Sequence, residues 1–257
     1  MIHADNRITR AWVEHIMGMP ISLHVRAEDP SRPDLEHAVA GTFEQLRRAD
    51  AVLSTWRPGS DVMRWRSGDL DLEDAHHTLR DVMVLCEQAS VETNRLFTTD
   101  LIGPDGTRGW DPTGLAKGWA VEAAVERLRS VEGISFAVNA GGDIICGHGG
   151  DAVECARPWH IGIENPMDRS VVSHVVSVTD GAVATSGTAA RGNHIVDPRS
   201  GKPVDCVGSI TVSGPSLMWA DVWATAAFID PAVLQARAEW ADYRVLFDDR
   251  IEPSAVS

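Results

Sequence analysis

The feature that most constrains this fold is an asymmetry of periodicity along the chain. Long segments with apolar residues every three to four positions come early, and short strand-like runs crowd the later part. Residues 34–53 carry Leu35, Val39, Phe43 and Leu46 on one side with acidic residues in the first turn. Residues 74–91 carry Leu79, Val82, Met83, Cys86 and Ala89 in the same way. Both spacings predict helices. A third, over residues 114–131, presents Trp119, Ala120, Ala123, Ala124 and Leu128, a small-residue face suited to close packing. Strands are expected at residues 134–139, 144–146, 159–164, 171–178, 182–185 and 207–212, then a helix at 218–228. A last short helix at 232–240 and a closing strand at 243–247 complete the pattern. Helices early and strands late favour an α+β fold, with mainly antiparallel sheets and packed helices, over a doubly wound one.

The remaining segments are shorter. Residues 11–17 and 20–26 read as two strands broken at Gly18, with Pro20 fixing the turn and Met17 facing either a pocket or the core. Residues 97–101 suggest a short strand, and 103–109 a turn-rich loop. The first helix runs out into Ser54-Thr55-Trp56-Arg57-Pro58-Gly59-Ser60, which is either an ordinary helix exit or a lid that stacks Trp56 on a planar ring.

A length of 257 residues with 44% hydrophobic content is enough for one large domain or two intimately packed lobes. The net charge of −14, from 37 acidic and 23 basic residues, argues against a nucleic-acid binder or a protein of anionic membranes. No run approaches the ~18 apolar residues of a membrane span, and the first residues form no basic-then-apolar leader. No membrane anchor and a cytoplasmic location are therefore expected. Cys86, Cys146, Cys155 and Cys206 are scattered without a CxxC. Cys146, His148, Cys155 and His160 form a loose cluster whose spacing matches no common structural zinc pattern, so buried or incidental thiols are expected.

Chemistry concentrates in Asp111-Pro112-Thr113-Gly114-Leu115-Ala116-Lys117-Gly118-Trp119-Ala120. A carboxylate, an ammonium and two glycines stand where a helix begins. Glycines allow close backbone approach, and a helix start offers unpaired N–H groups to an anion. The stretch suits a phosphate-containing ligand with a divalent cation, or simply a helix start with a surface charge pair. Later in the chain Asp221 and Thr225 are four apart and so share one helix face. Both are hard oxygen donors of the kind Mg²⁺ accepts. Ala140-Gly141-Gly142-Asp143 is either a plain hairpin turn or one that brings amides and a carboxylate to a ligand. His194 either serves a phosphate or proton transfer, or is a turn histidine bonded to nearby backbone.

In this order the stretches resemble the ApbE family of flavin transferases. The matching motifs are Met17-Gly18, Asp50 through Ser54-Thr55-Trp56 to Ser60, and Asp111 through Lys117-Gly118 to Ala120. Then come Asn139-Ala140-Gly141-Gly142-Asp143, Thr185-Ser186-Gly187, His194-Ile195-Val196-Asp197-Pro198 to Gly201, and Ala220-Asp221 to Thr225. No one of them is diagnostic, but seven in the right order are hard to obtain by chance.

The resemblance implies an ApbE-like, T-fold-related architecture over residues 1–257, as a single domain or two packed lobes with FAD between them. It implies an Mg²⁺-dependent enzyme that cleaves the FAD pyrophosphate, attaches FMN through a phosphodiester to a Thr or Ser of an acceptor flavoprotein, and releases AMP. The Gly114 carbonyl, Asp221 and Thr225 would be the metal ligands. Asp111, Lys117, His194 and Ile195 would contact FAD, Met17 and Trp56 would lie by its rings, and Leu96, Phe97 and Thr98 would line the pocket. Lys117 or His194 would stabilise the leaving AMP, and Asp221 is the candidate base for the incoming hydroxyl. The alternatives are an FAD pyrophosphatase that uses water as acceptor, and a flavin-binding protein without turnover. Four stretches depart from the family pattern: Met19 stands for a Thr, Trp56 for a Tyr, Thr98 for an Asp, and Asp-Pro-Thr-Gly for Asp-Leu-Gly-Gly.

Overall fold

The computed structural model describes residues 7–102, 108–150, 157–189, 192 and 195–251. The chain opens with β1 (Ile8–Ile16) and β2 (Met19–Ala27), followed by α1 (Pro33–Leu53), α2 (Asp61–Ser67) and α3 (His77–Glu92). Next come β3 (Asp100–Ile102), β4 (Arg108–Trp110), α4 (Thr113–Arg129), β5 (Ile134–Ala140), β6 (Asp143–Gly149), β7 (Trp159–Asn165), β8 (Asp168–Val178) and β9 (Gly181–Gly187). Two short strands, β10 (Val196–Asp197) and β11 (Lys202–Pro203), precede β12 (Ser209–Gly214), α5 (Leu217–Ile229) and β13 (Arg244–Asp248).

Seven strands form one sheet in the order β1-β2-β5-β6-β9-β12-β13, every neighbouring pair antiparallel. Two of its connections are two-residue hairpin turns. Ile16 pairs with Met19 across Met17-Gly18, where both central residues have positive φ (57° and 73°). Ala140 pairs with Asp143 across Gly141-Gly142, again with both positive (65° and 102°). Such turns match the twist of the flanking strands. Because β2 lies beside β5, the two turns fall at the same end of the sheet, and a β-carbon on Gly141 would lie 2.9 Å from the Met19 sulfur.

Helices α1, α4 and α5 cover one face of the sheet. Leu35, Val39, Phe43 and Leu46 of α1 join Val121, Ala124, Val125 and Leu128 of α4 and Trp223, Ala227 and Phe228 of α5 in the main apolar core. The β7–β8 hairpin covers the opposite face, packing Ile161 and Ile163 on Ala137, Cys146 and Val183. Arg26 fastens this hairpin by lying 3.7 Å from the Trp159 ring centre and donating to the Arg157 and Pro158 carbonyls. A second core, built from α2, α3 and the end of α1, takes Leu115 and Ala116 from α4 and Met218 and Val222 from α5. Thus α1, α4 and α5 each contribute to both cores.

Two local expectations are corrected, and one unanticipated helix appears. Residues 97–101 are not one strand: Phe97 is pinned by its N–H to the Thr93 hydroxyl, and pairing begins only at Asp100. The loop expected at residues 54–60 is followed by a helix that the sequence pattern did not suggest, α2, capped by Ser60 and closed by Gly68 in the left-handed conformation. Residues 232–240 form turns ending in a three-residue 3₁₀ helix, Ala238–Trp240. Here tertiary anchors override helix propensity: Trp240 donates to Glu92, and Arg237 holds the Val91 carbonyl and Asn94. Cys155 and residues 103–107 lie outside the described residues.

Candidate active site between two helices and a hairpin turn

Helices α4 and α5 cross closely because Gly118 has no side chain; a β-carbon there would meet the Met218 Cα at 2.7 Å. Residue numbers rise along α4 as they fall along α5. Glu122 of α4 receives hydrogen bonds from the Ser216 hydroxyl (2.8 Å) and the Met218 N–H (3.1 Å), while Lys117, further back, reaches Asp221. The same progression carries Gly114 toward the Asp221–Thr225 face of α5. Burial pushes the Glu122 pKa up, against the pull of its three donors at the α5 start, Ser216, Met218 and Leu217.

The start of α4 is shaped by Asp111. Its carboxylate accepts from the Thr113 N–H at 2.9 Å, and its own N–H donates to the Thr99 carbonyl at 2.7 Å. Gly114 lies against the Phe97 ring, which a β-carbon would approach to 3.1 Å. Phe97 (2% exposed) and Leu96 (4%) are buried here, and the Thr98 hydroxyl is held locally by the Asp100 N–H.

The centre of the site is a charge cluster. The Lys117 ammonium forms an ion pair with Asp143 and stands 3.4 Å from Asp221. Asp143 sits just after the Gly141-Gly142 turn and is 1% exposed, and Asp221 is 5% exposed. The second Asp143 oxygen accepts from the Thr185 N–H at 3.0 Å, tying β6 to β9. One residue on, the Ser186 hydroxyl shares a 3.0 Å hydrogen bond with the Thr225 hydroxyl of α5. Thr185 in turn bonds Thr211 at 2.9 Å.

Two buried carboxylates around one ammonium leave an excess negative charge in a place where charge is expensive. A divalent cation fits that excess. The donors on offer, the Asp221 carboxylate, the Thr225 hydroxyl one turn later and the Gly114 carbonyl, are hard oxygens suited to Mg²⁺. The same ammonium and the N-terminal turn of α4 suit a phosphate group.

The structure therefore brings Lys117, Asp221 and Thr225 together, with Asp111 and Gly114 on the adjoining turn and the Phe97 ring against Gly114. Ile195 is buried in the main core, its carbonyl accepting from the Val204 N–H. Met17 packs against that core from the β1–β2 turn. Trp56 is not brought in: it is 75% exposed, with no ring contact among the described residues. His194 lies outside the described residues. The sequence offers Asp143 as a carboxylate that a hairpin turn could bring to a ligand, and Thr185 and Ser186 as part of a Thr-Ser-Gly stretch, but gives none of the three a role; their contacts with Lys117 and Thr225 come from the fold.

Comparison with solved structures gives the same fold. The apo flavinyl transferase ApbE of Pseudomonas stutzeri superposes with a TM-score of 0.72 at 21% identity, covering 96% of this chain and 94% of that one. The flavin transferase ApbE of Vibrio cholerae gives 0.72 at 22% identity, covering 95% and 96%. Among curated relatives, the FAD:protein FMN transferase of Vibrio cholerae serotype O1 is 35% identical over 130 residues, 46% of this chain and 38% of the relative. That of Rhodobacter capsulatus is 35% identical over 122 residues, 43% of this chain and 22% of the relative. The chain thus matches well under half the length of these curated relatives. Among the described residues no helix is long and apolar enough to cross a membrane. The family model described as the ApbE family matches residues 104–246, more than half of the sequence, and the chain belongs to that family.

Proposed function

We propose that this protein is an Mg²⁺-dependent FAD:protein FMN transferase. It would cleave the FAD pyrophosphate and join the FMN phosphate to a Thr or Ser hydroxyl of an acceptor flavoprotein. One P–O bond forms to the acceptor oxygen as the bond to the AMP phosphate breaks, and AMP leaves. The observation that carries this reading is the meeting of Lys117, Asp143, Asp221 and Thr225 where α4 and α5 cross.

Mg²⁺ held by Asp221, Thr225 and the Gly114 carbonyl would neutralise charge on the pyrophosphate oxygens. Transfer of this type depends mainly on positioning and charge neutralisation, so the protein's share is geometric and electrostatic. Lys117 would stabilise the departing AMP phosphate, with His194 beside the pyrophosphate. Asp221 is the carboxylate assigned to take the proton of the incoming hydroxyl. Asp111, Met17, Leu96, Phe97, Thr98 and Ile195 would line the FAD site, with Trp56 closing over its rings.

The test is incubation with FAD and Mg²⁺, with and without a flavin-acceptor domain, following AMP release and flavin fluorescence on a denaturing gel. Acceptor-dependent covalent fluorescence with AMP release, both lost in Asp221→Ala, is the expected result. AMP and free FMN with no covalent label would make the protein a pyrophosphatase instead. FAD binding with no AMP under any of these conditions, unchanged in Asp221→Ala, would sink the metal-centred reading.

A further inference from the structure

The chain has two lysines, Lys117 and Lys202, against 21 arginines. Nearly every cationic position uses guanidinium, yet the position facing two buried carboxylates carries an ammonium. An ammonium is a compact point charge on a flexible stem, whereas a guanidinium is a wide planar fork suited to fixed bidentate pairing. Lys117 is 18% exposed and stands between Asp143 and Asp221, side chains 2% and 7% exposed. Asp143 is the fixed member of this trio, since the Thr185 N–H holds its other oxygen. Asp221 lies on α5 one turn before Thr225, the pair whose donor chemistry suits the divalent cation.

Resting on the metal-centred reading above, we propose that Lys117 is an internal counterion shared by the two carboxylates, and that Asp143 is the positioning residue that keeps it off Asp221. With a divalent cation at Asp221, the ammonium stays on Asp143 rather than Asp221 and is available to the substrate phosphates. Without Asp143, the same ammonium settles on Asp221 and competes with the metal. The effect of Asp143 on metal binding therefore runs through Lys117 and vanishes when the ammonium is gone.

Two lysines make the test direct. Protein labelled with ¹⁵N and ¹³C in lysine alone gives two side-chain signals, which Lys117→Met assigns. Titration with Mg²⁺ in the absence of FAD is expected to shift the Lys117 signal and leave that of Lys202 in place. In parallel, Mn²⁺ binding is measured by electron paramagnetic resonance for the wild type, Asp143→Asn, Lys117→Met and the double variant. Asp143→Asn is expected to weaken Mn²⁺ binding about tenfold with Lys117 present and less than about twofold in the Lys117→Met background, as coupled neighbours should.

Equal weakening in both backgrounds would make Asp143 a contributor to the general field and overturn the proposal. So would an unmoved Lys117 signal in wild-type protein that demonstrably binds Mg²⁺, a result that needs no variant to fold. If the wild type bound no Mn²⁺ above the level of Asp221→Ala, the metal-centred reading itself would fall, and this inference with it.

Discussion

Gly118 on α4 lies against the backbone of Met218 on α5, so closely that a β-carbon on Gly118 would fall 2.7 Å from the Met218 Cα and 2.9 Å from its nitrogen. No flexible side chain can give way there, because the opposing atoms are backbone. Gly118→Ala must therefore push the two helices apart, at a cost of about 1–3 kcal/mol typical of overpacked cores. The displacement falls between Lys117 and Asp221, whose 3.4 Å separation depends on this crossing. We expect lower stability in urea melts and, under the proposed function, a loss of turnover larger than the stability loss explains, on the order of a hundredfold. A variant that loses stability but keeps full turnover would separate the crossing from the chemistry.

The Thr225 hydroxyl shares a 3.0 Å hydrogen bond with the Ser186 hydroxyl. Thr225→Val keeps the shape and removes the oxygen, so under the proposed function the Mg²⁺ concentration for half-maximal activity should rise roughly 10- to 100-fold. Thr225→Ser should stay near wild type. Equal Mg²⁺ dependence in all three proteins would remove Thr225 from the metal site.

Glu122 ties α4 to the first turn of α5, and burial is the largest influence on it, raising its pKa above the ordinary 4.5. The folded protein thus keeps this proton to a higher pH than the unfolded chain does. Stability from the neutral form is fully present below the ordinary carboxylate range and is lost as pH rises through the raised folded value. Glu122→Gln retains an acceptor oxygen without the charge. Relative to that variant, the wild type should lose stability from about pH 4.5 upward and level off above the folded pKa, as read from urea melts at a series of pH values. Parallel pH profiles would rule out Glu122 as the source. Glu122→Ala, which orphans the Ser216 hydroxyl and the Met218 N–H, should cost about 1–3 kcal/mol below pH 4.5 and less as the pH rises through the folded pKa.

The sheet and the long helices were legible because their apolar spacing is regular and their burial one-sided. Residues 34–53 and Pro33–Leu53 differ by one position, and every strand expected in the later part appears within a few residues of its place, while the two-residue β10 and β11 were not foreseen. What the pattern could not carry was held by side-chain anchors far apart in sequence. Residues 232–240 have helical composition, but Trp240 bonds Glu92 and Arg237 bonds Asn94, and those contacts unwind the segment into turns. Asp143 shows the same limit at the site. Its hairpin turn was readable from Gly141-Gly142, but its ion pair with Lys117 depends on β6 reaching α4, a relation no local spacing encodes. That Asp221 and Thr225 share one helix face was legible from their four-residue spacing. Trp56 could be named as a stacking candidate, yet nothing in its neighbourhood fixes where the ring points.

Burial pushes the thiols of Cys86 and Cys146 up to about 12, with the Asp111 carboxylate adding to the effect at Cys86 and Arg26 opposing it at Cys146. At pH 8 only about one molecule in ten thousand would carry a thiolate at either position. Iodoacetamide should therefore leave both unmodified in the native protein and label both in denaturant, as mass spectrometry of the digested chain would show. Rapid native labelling of Cys86 would mean that the α3 face beside Asp111 opens far more readily than its 3% exposure implies.

Trp56 is 75% exposed and follows α1 in a segment whose backbone is already fixed: Arg57 pairs with Asp50 at 2.8 Å, and the Ser60 hydroxyl donates to the Ser54 carbonyl at 2.6 Å. The ring contributes nothing to either bond, so Trp56→Ala should change folding stability by no more than about 0.5 kcal/mol. If the ring stacks on FAD as proposed, the same change should weaken FAD binding roughly 5- to 10-fold, the worth of an aromatic pair beyond its area. Trp56→Phe should recover most of that affinity, because a planar apolar surface is what stacking requires. Flavin fluorescence titrations on the three proteins read this directly. Unchanged FAD affinity in Trp56→Ala would leave the ring outside the cofactor site and point instead to the acceptor protein as its contact.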